Sequence, residues 1–308
     1  MFVSKRRLSV GKGEAGVSAS TALGIRTRKR SKPSTGGVRN LKEEGILLKR
    51  MAGAPIPNGF RYEKYLHVSD LLGNCMRKIA ISYRTGTKIV GDPLWDNMLQ
   101  TFAIGNGIHG AVRAKIQRVR PDEMYGVWTC KCKTEKKTFE GTATQALEQG
   151  ACHNCGNNLD TYEELRLLND YIDVVGSVDL TLLFSSAFYL SEIKSIKKED
   201  WDTLTRPLPM HILQIIIYWW LARELGKPIH KQVSVFYVTK GHVFGVPYKE
   251  FVIDPVEHIH RLDEYIEDAK ALKASRNGGR LPVRICPTDS SPQAKKCEMC
   301  SLCFGMDE

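Results

Sequence analysis

From residue 161 onward, apolar runs and polar breaks alternate at spacings that predict a strand-rich core followed by helices. Residues 163–168, 171–184 and 188–195 are rich in Val, Leu and Ile and read as strands, with a turn at Ser185-Ser186-Ala187 before the last. Period-two alternation puts Glu192 and Lys194 on one face, where Asp179 of the preceding strand can meet them. After Pro207 and Pro209, the nearly all-apolar run to about residue 225 predicts a buried helix ending at Gly226-Lys227-Pro228. Gln214 and Tyr218 lie four residues apart and share a face of that helix. A glutamine among such neighbours needs a hydrogen-bond partner. Trp219 and Trp220 extend the helix and are expected to pack in the core, one of them partly exposed. Residues 232–239 and 243–253 read as a β-hairpin turning at Lys240-Gly241, and residues 256 to about 276 as a long helix. Upstream, helix runs to about residue 118 and presents His109. The sum is an α/β fold with a mixed central sheet flanked by helices.

Charge changes the picture of domain organisation. The 308 residues carry 45 Lys+Arg against 34 Asp+Glu, a net +11. Residues 1–50 hold 13 of the basic residues and three acids, so +10 belongs to that segment and +1 to the rest. The segment is rich in Gly, Ser and Thr, has one aromatic residue and lacks periodicity. It reads as a basic, mostly disordered arm, with a short helix near 41–50, suited to salt-sensitive attraction to phosphates. A solvated tail, a nuclear signal in Arg28-Lys29-Arg30-Ser31-Lys32 and a mitochondrial presequence stay open as readings of the same residues. The longest apolar stretch, 212–222, is far short of the ~20 residues that span a bilayer. With no apolar leader, an intracellular, cytoplasmic protein of a bacterium or a virus-infected cell is expected, without a membrane partner. Residues 51–308 then form the main domain.

Nine cysteines are too few for a disulfide scaffold in a chain this long, and their odd number argues against complete pairing. Cys130-x-Cys132 and Cys152-x2-Cys155 are two tight pairs in a polar segment that cannot build a core alone. Their spacing predicts a structural zinc ribbon inserted over 126–160, with a knuckle turn at His153-Asn154-Cys155-Gly156. The second group is Cys286, Cys297, Cys300 and Cys303, in a cysteine-rich segment over 280–308, with Cys75 far upstream. On spacing alone, these thiols suit either zinc or an iron–sulfur cluster.

Asp179 opposite Glu192-x-Lys194 is an arrangement in which two carboxylates can bind a hard divalent cation and a lysine can orient an attacking water. Cross-strand ion pairs on a surface sheet use the same residue types, so the rest of the chain decides. In sequence order, His109, Asp179, Glu192-Ile193-Lys194 and Gln214-x3-Tyr218 form a set that resembles the RecB-like branch of the PD-(D/E)XK nuclease superfamily. The likeness covers about residues 67–303 and is interrupted by the cysteine-rich insertion.

The resemblance implies a restriction-endonuclease-like core and Mg2+- or Mn2+-dependent hydrolysis of DNA phosphodiesters. Asp179 and Glu192 would be metal ligands, joined by His109 and the Ile193 carbonyl. Lys194 would activate water, and Gln214 and Tyr218 would position the lysine or the DNA strand. Glu163 or Glu164 falls near a further acid of that branch. Related nucleases hold a [4Fe–4S] cluster by one cysteine before the core and three after it, which implies Cys75, Cys286, Cys297 and Cys303. Cys300 is an alternative ligand, because the chain has one cysteine more than the pattern. An exonuclease of recombination, replication or repair is the implied activity, viral or cellular, with DNA and other replication or recombination proteins as partners. A non-catalytic nucleic-acid-binding iron–sulfur scaffold and a CRISPR-adaptation trimming nuclease are the rival readings. Intact Asp179, Glu192 and Lys194 argue against the scaffold.

Overall fold

The computed structural model describes residues 56–59, 65–73, 75–87, 90–94, 96–132 and 135–306, all within the unit Ala54–Glu308. The basic arm over 1–50 and the short helix expected near 41–50 lie outside the described residues.

The chain runs through strand β1 (Ile56–Gly59), strand β2 (Leu66–His67), helices α1 (Val68–Gly73) and α2 (Met76–Thr85), strand β3 (Val90–Leu94) and the long helix α3 (Asp96–Val119). Strands β4 (Met124–Thr129) and β5 (Thr138–Thr142), helix α4 (Ala143–Glu148) and strand β6 (Thr161–Glu163) follow. Strands β7 (Leu165–Asn169), β8 (Val174–Val178), β9 (Leu180–Phe184) and β10 (Ala187–Ile196) come next. Helices α5 (Lys198–Thr203) and α6 (Pro209–Glu224) lead to strands β11 (Val233–Thr239) and β12 (Tyr248–Ile253). The chain then folds into helices α7 (Ile259–Arg276), α8 (Pro292–Lys295) and α9 (Cys300–Gly305). None of the described helices is long and apolar enough to cross a membrane.

A seven-stranded sheet has the order β12-β11-β10-β9-β4-β5, with β6 also pairing β4. It is mixed, since β10 runs parallel to β11 and antiparallel to β9. A second sheet has the order β2-β8-β7. Alternation along β10 sends Leu190, Glu192 and Lys194 toward α6, while Ile193 joins the opposite layer with Val112 of α3, Trp128 and Leu180. Helix α6 is apolar on nearly every side because it is covered on nearly every side: Ile215, Ile216, Ile217, Leu221 and Ala222 are fully buried. Trp219 is buried, its indole N–H donating to the His230 carbonyl, and Trp220 is partly exposed.

Two expectations need correction. The strand expected over 171–184 starts three residues later and is broken once. Residues 170–173 form the turn of the β7–β8 hairpin, where Asn169 Oδ1 accepts the amides of Tyr171 and Ile172 and Asp173 has φ 53°. Asp179 then bends the chain out of the β8 sheet and into the β9 sheet. The later hairpin exists, but its connection is a loop over 240–247 rather than a turn at Lys240-Gly241. Pairing resumes only at Tyr248, after Gly245 at φ 98° and Pro247, which has no amide proton. The cysteine-rich segment joins the main sheet, because β4 pairs β9 and its Met124 and Trp128 are completely buried.

Glycine is required at one position facing the site. A Cβ on Gly176 of β8 would lie 2.4 Å from the Tyr218 ring, so the bare backbone leaves room for that ring against the strand.

Candidate active site and cysteine groups

The bend at residue 179 and the alternation of β10 bring Asp179, Glu192 and Lys194 together, with α3 contributing from one side and α6 from the other. Asp179 Oδ2 accepts the Ile193 amide at 2.8 Å, and Oδ1 is 3.3 Å from His109 Nδ1. Lys194 Nζ lies 2.7 Å from Glu192 Oε1 and donates to Gln214 Oε1 at 2.9 Å. The Gln214 amide in turn donates to the Tyr218 hydroxyl at 2.9 Å. The glutamine's partners are therefore the lysine and the tyrosine, and its orientation is fixed from both ends. Ile193 meets the site through its amide, which holds Asp179 in place.

Burial sets the electrostatics. Glu192 is 3% exposed and Asp179 8%. Glu192 Oε2 has no hydrogen-bond partner among the described residues. Burial, and then the Asp179 carboxylate, push the Glu192 carboxyl up to about 8 against the pull of Lys194. Two acids share a buried site with one ammonium, and one Glu192 oxygen has no donor among the described residues. A buried acceptor without a donor is costly, and a proton or a cation relieves it.

This predicts an unusual pH dependence. In metal-free protein the unfolded Glu192 ionises near 4.5, while the folded one keeps its proton up to about 8. The unfolded state binds fewer protons through that window, so stability should fall as pH rises through it, by on the order of a few kcal/mol. Thermal melts over a pH series in chelator should show the slope, and Glu192→Gln should flatten it. A flat wild-type profile would count against the buried carboxyl.

Around this centre lie Arg113 and His211, which the sequence reading did not assign, and Glu164, one of the two acids it offered. Arg113, one turn beyond His109 on α3, donates from Nε to the His109 carbonyl at 3.3 Å and from Nη1 to Glu164 Oε1 at 2.8 Å. Burial and the nearby Asp179 carboxylate raise the Glu164 carboxyl, opposed by Arg113. Glu164 is thus the acid coupled to the site, whereas Glu163 pairs with Lys136 at 3.0 Å on the cysteine-rich side. His211, on the first turn of α6, lies 2.7 Å from the Tyr237 hydroxyl. Glu164 and Arg113 are 51 positions apart, so no local spacing announces them; the one signal for His211 is its place three residues before Gln214.

The cysteines fall into two spatial groups. The ligand atoms of Cys130, Cys132, Cys152 and Cys155 all lie within 4.8 Å of one another, an arrangement that can hold a metal ion. Cys130 and Cys152 are buried, and Cys130 Sγ accepts the Lys137 amide at 3.2 Å. Gly156 supplies the φ of 67° that closes the second knuckle, its amide donating to the Cys152 carbonyl at 2.8 Å. Cys75, Cys286, Cys297, Cys300 and Cys303 line one cavity of about 230 Å3, together with Lys78, Arg284 and Lys296. Arg77, nearly fully buried, donates from Nε to Cys303 Sγ at 3.3 Å and from Nη1 to the Pro282 carbonyl at 2.9 Å. Residues over 200 positions apart are thereby joined at one place.

No protein-family model matches the chain, and no curated protein matches it. Among solved structures, the chain is similar to one described as "Crystal structure of SSO0001", at 14% identity and a TM-score of 0.37, covering 83% of this chain and 91% of that chain.

Proposed function

We propose that the chain is a divalent-metal-dependent nuclease that hydrolyses phosphodiesters in DNA, acting as an exonuclease. The observation that carries this reading is the convergence of Asp179, Glu192 and Lys194 in a buried site where a Glu192 oxygen has no partner among the described residues. The likeness of His109, Asp179, Glu192-x-Lys194 and Gln214-x3-Tyr218 to RecB-like PD-(D/E)XK nucleases supports it. Asp179, Glu192, His109 and the Ile193 carbonyl would hold Mg2+ or Mn2+, which supplies a Lewis acid and lowers the pKa of bound water. The chain's own groups do the rest. Lys194, steered by Glu192 and Gln214, orients the attacking water and balances charge at the phosphate. Tyr218 and Gln214 hold the ammonium in that direction, and Arg113 pairs with Glu164 beside the site.

The two cysteine groups take different metals on this reading. Tetrahedral zinc with ~2.3 Å bonds puts its sulfurs about 3.8 Å apart. The 3.7 Å between the Cys132 and Cys152 sulfurs fits that value. A [4Fe–4S] cluster spreads its thiolates over four irons, which suits the larger cavity, and Lys78, Arg284 and Lys296 offset its negative charge. Cys75, Cys286, Cys297 and Cys303 are the assigned ligands. Cys300 is spare, its sulfhydryl 3.7 Å from the Asp289 carbonyl and its pKa raised by burial. Accordingly, Cys303→Ser should lose the iron and the brown absorbance of anaerobically purified protein, and Cys300→Ala should keep both. The opposite outcome reassigns the fourth ligand.

The function itself is tested by incubating anaerobically purified protein with end-labelled single- and double-stranded DNA in Mg2+ or Mn2+. Absence of cleavage under every condition would favour the scaffold reading instead.

A further inference from the structure

Tyr237 of β11 stands directly beside Lys194 of β10 in the parallel register, so both side chains leave the same face of the sheet, toward α6. The Tyr237 hydroxyl accepts the Leu208 amide at 2.9 Å and lies 2.7 Å from His211 Nδ1. Tyr237 is fully buried. A phenol has one proton to give, and the acceptor beside it is His211 Nδ1. Were Nδ1 protonated, the hydroxyl would have to accept twice, and its own buried proton would be left without an acceptor. Nδ1 is therefore the acceptor, and the imidazole proton sits on Nε2.

The charged imidazolium is disfavoured by burial and by the Lys194 ammonium, which together push the His211 pKa down to about 4. Its place on the first turn of α6, the positive end of the helix, acts in the same direction. His211 is thus a neutral ring with a fixed tautomer, half-buried near Lys194. Its one hydrogen bond is made by Nδ1, which leaves the Nε2–H without an acceptor among the described residues.

We propose that His211 is a further catalytic residue of this site, its Nε2–H donating to a non-bridging oxygen of the scissile phosphate alongside Lys194. The inference rests on the phosphodiesterase reading above and adds a group to it. A neutral imidazole is a poor proton source, because giving up Nε2–H leaves an imidazolate. Its contribution is a preset hydrogen bond that strengthens as negative charge builds on the phosphate. Tyr237 is the positioning residue that holds the tautomer.

The test uses full-length protein and compares His211→Ala, His211→Gln and Tyr237→Phe, with Asp179→Asn as the inactive control. His211→Ala should lower kcat about 10²-fold with KM for DNA changed only a few-fold. His211→Gln, whose amide can present an N–H at similar reach, should recover about tenfold of that loss. Histidine 15N spectra of the wild type should show the Nε2–H tautomer between about pH 5 and 8, and Tyr237→Phe should admit the other tautomer. Wild-type kcat in His211→Ala beside an inactive Asp179→Asn overturns the inference and leaves the nuclease reading standing. An Nδ1–H tautomer in the wild type overturns it even if the alanine variant fails to fold. A wild type that cleaves no DNA removes the function reading, and the His211 role goes with it.

Discussion

Asp179→Asn and Lys194→Ala should each reduce Mg2+- or Mn2+-dependent DNA cleavage by at least about 10³-fold. DNA binding and the melting temperature should stay close to wild type. Asparagine is the informative substitution at 179. Its amide oxygen can still accept the Ile193 amide, so the link from the bend to β10 survives while the carboxylate charge is lost. Alanine there would strand a buried N–H, at about 1–3 kcal/mol, and mix a folding defect with a chemical one. Removing the Lys194 ammonium leaves Glu192 in a buried site without its cation, and protonation of its already raised carboxyl absorbs most of that strain. On the nuclease reading, the fold should therefore tolerate the change and the chemistry should not. Cleavage within tenfold of wild type in both variants would sink the site assignment. DNA binding is read separately by fluorescence anisotropy in Ca2+, so that loss of turnover is not mistaken for loss of substrate.

The second large effect is on stability. Cys152→Ser, or removal of metal from the four-cysteine group, should lower the melting temperature by at least about 10 °C and broaden the transition. Structural zinc contributes folding energy outright, of order 10 kcal/mol in small zinc modules. The segment that the four cysteines close is not peripheral here. Trp128 is fully buried, its indole donating to the Gly141 carbonyl at 2.9 Å, and β4 carries both the Trp128 layer and the pairing with Leu182 and Thr181 of β9. Loosening the knuckles thus reaches the strand that begins one residue after Asp179. Differential scanning calorimetry before and after chelation, with zinc quantified in each sample, measures the effect. An unchanged transition in zinc-free protein would mean that the four thiols hold no structural metal.

Much of the arrangement could be read from the sequence where a single local rule governs. Period two placed Glu192 and Lys194 on one face, and an apolar run broken by Gln214 announced α6 and the need for a partner. The break at Asp179 was hidden because β8 is almost wholly buried and β9 begins with the buried Leu180 and Thr181, so no clear alternation of polar and apolar residues marks the change of sheet. The turn signal of Asn169 and Asp170 fits the gap left between residues 168 and 171, but the turn runs on to Asp173. The loop over 240–247 was misjudged for the opposite reason: Lys240-Gly241 looks like a sufficient turn, and Pro247 decides where pairing resumes. The Arg113–Glu164 pair and the tautomer of His211 depend on residues brought together only by the finished sheet.

The missing side chain at Gly176 has a wider meaning. The Tyr218 ring rests on that backbone, and Tyr218, Gln214 and Lys194 follow one another by hydrogen bonds. The aim of the ammonium is therefore fixed in part by an atom the chain does not have, in a strand that offers the site no polar group. Drift at position 176 would register as a loss of turnover with every residue of the constellation intact. In a functional screen, it would look like an active-site mutation that touches nothing reactive.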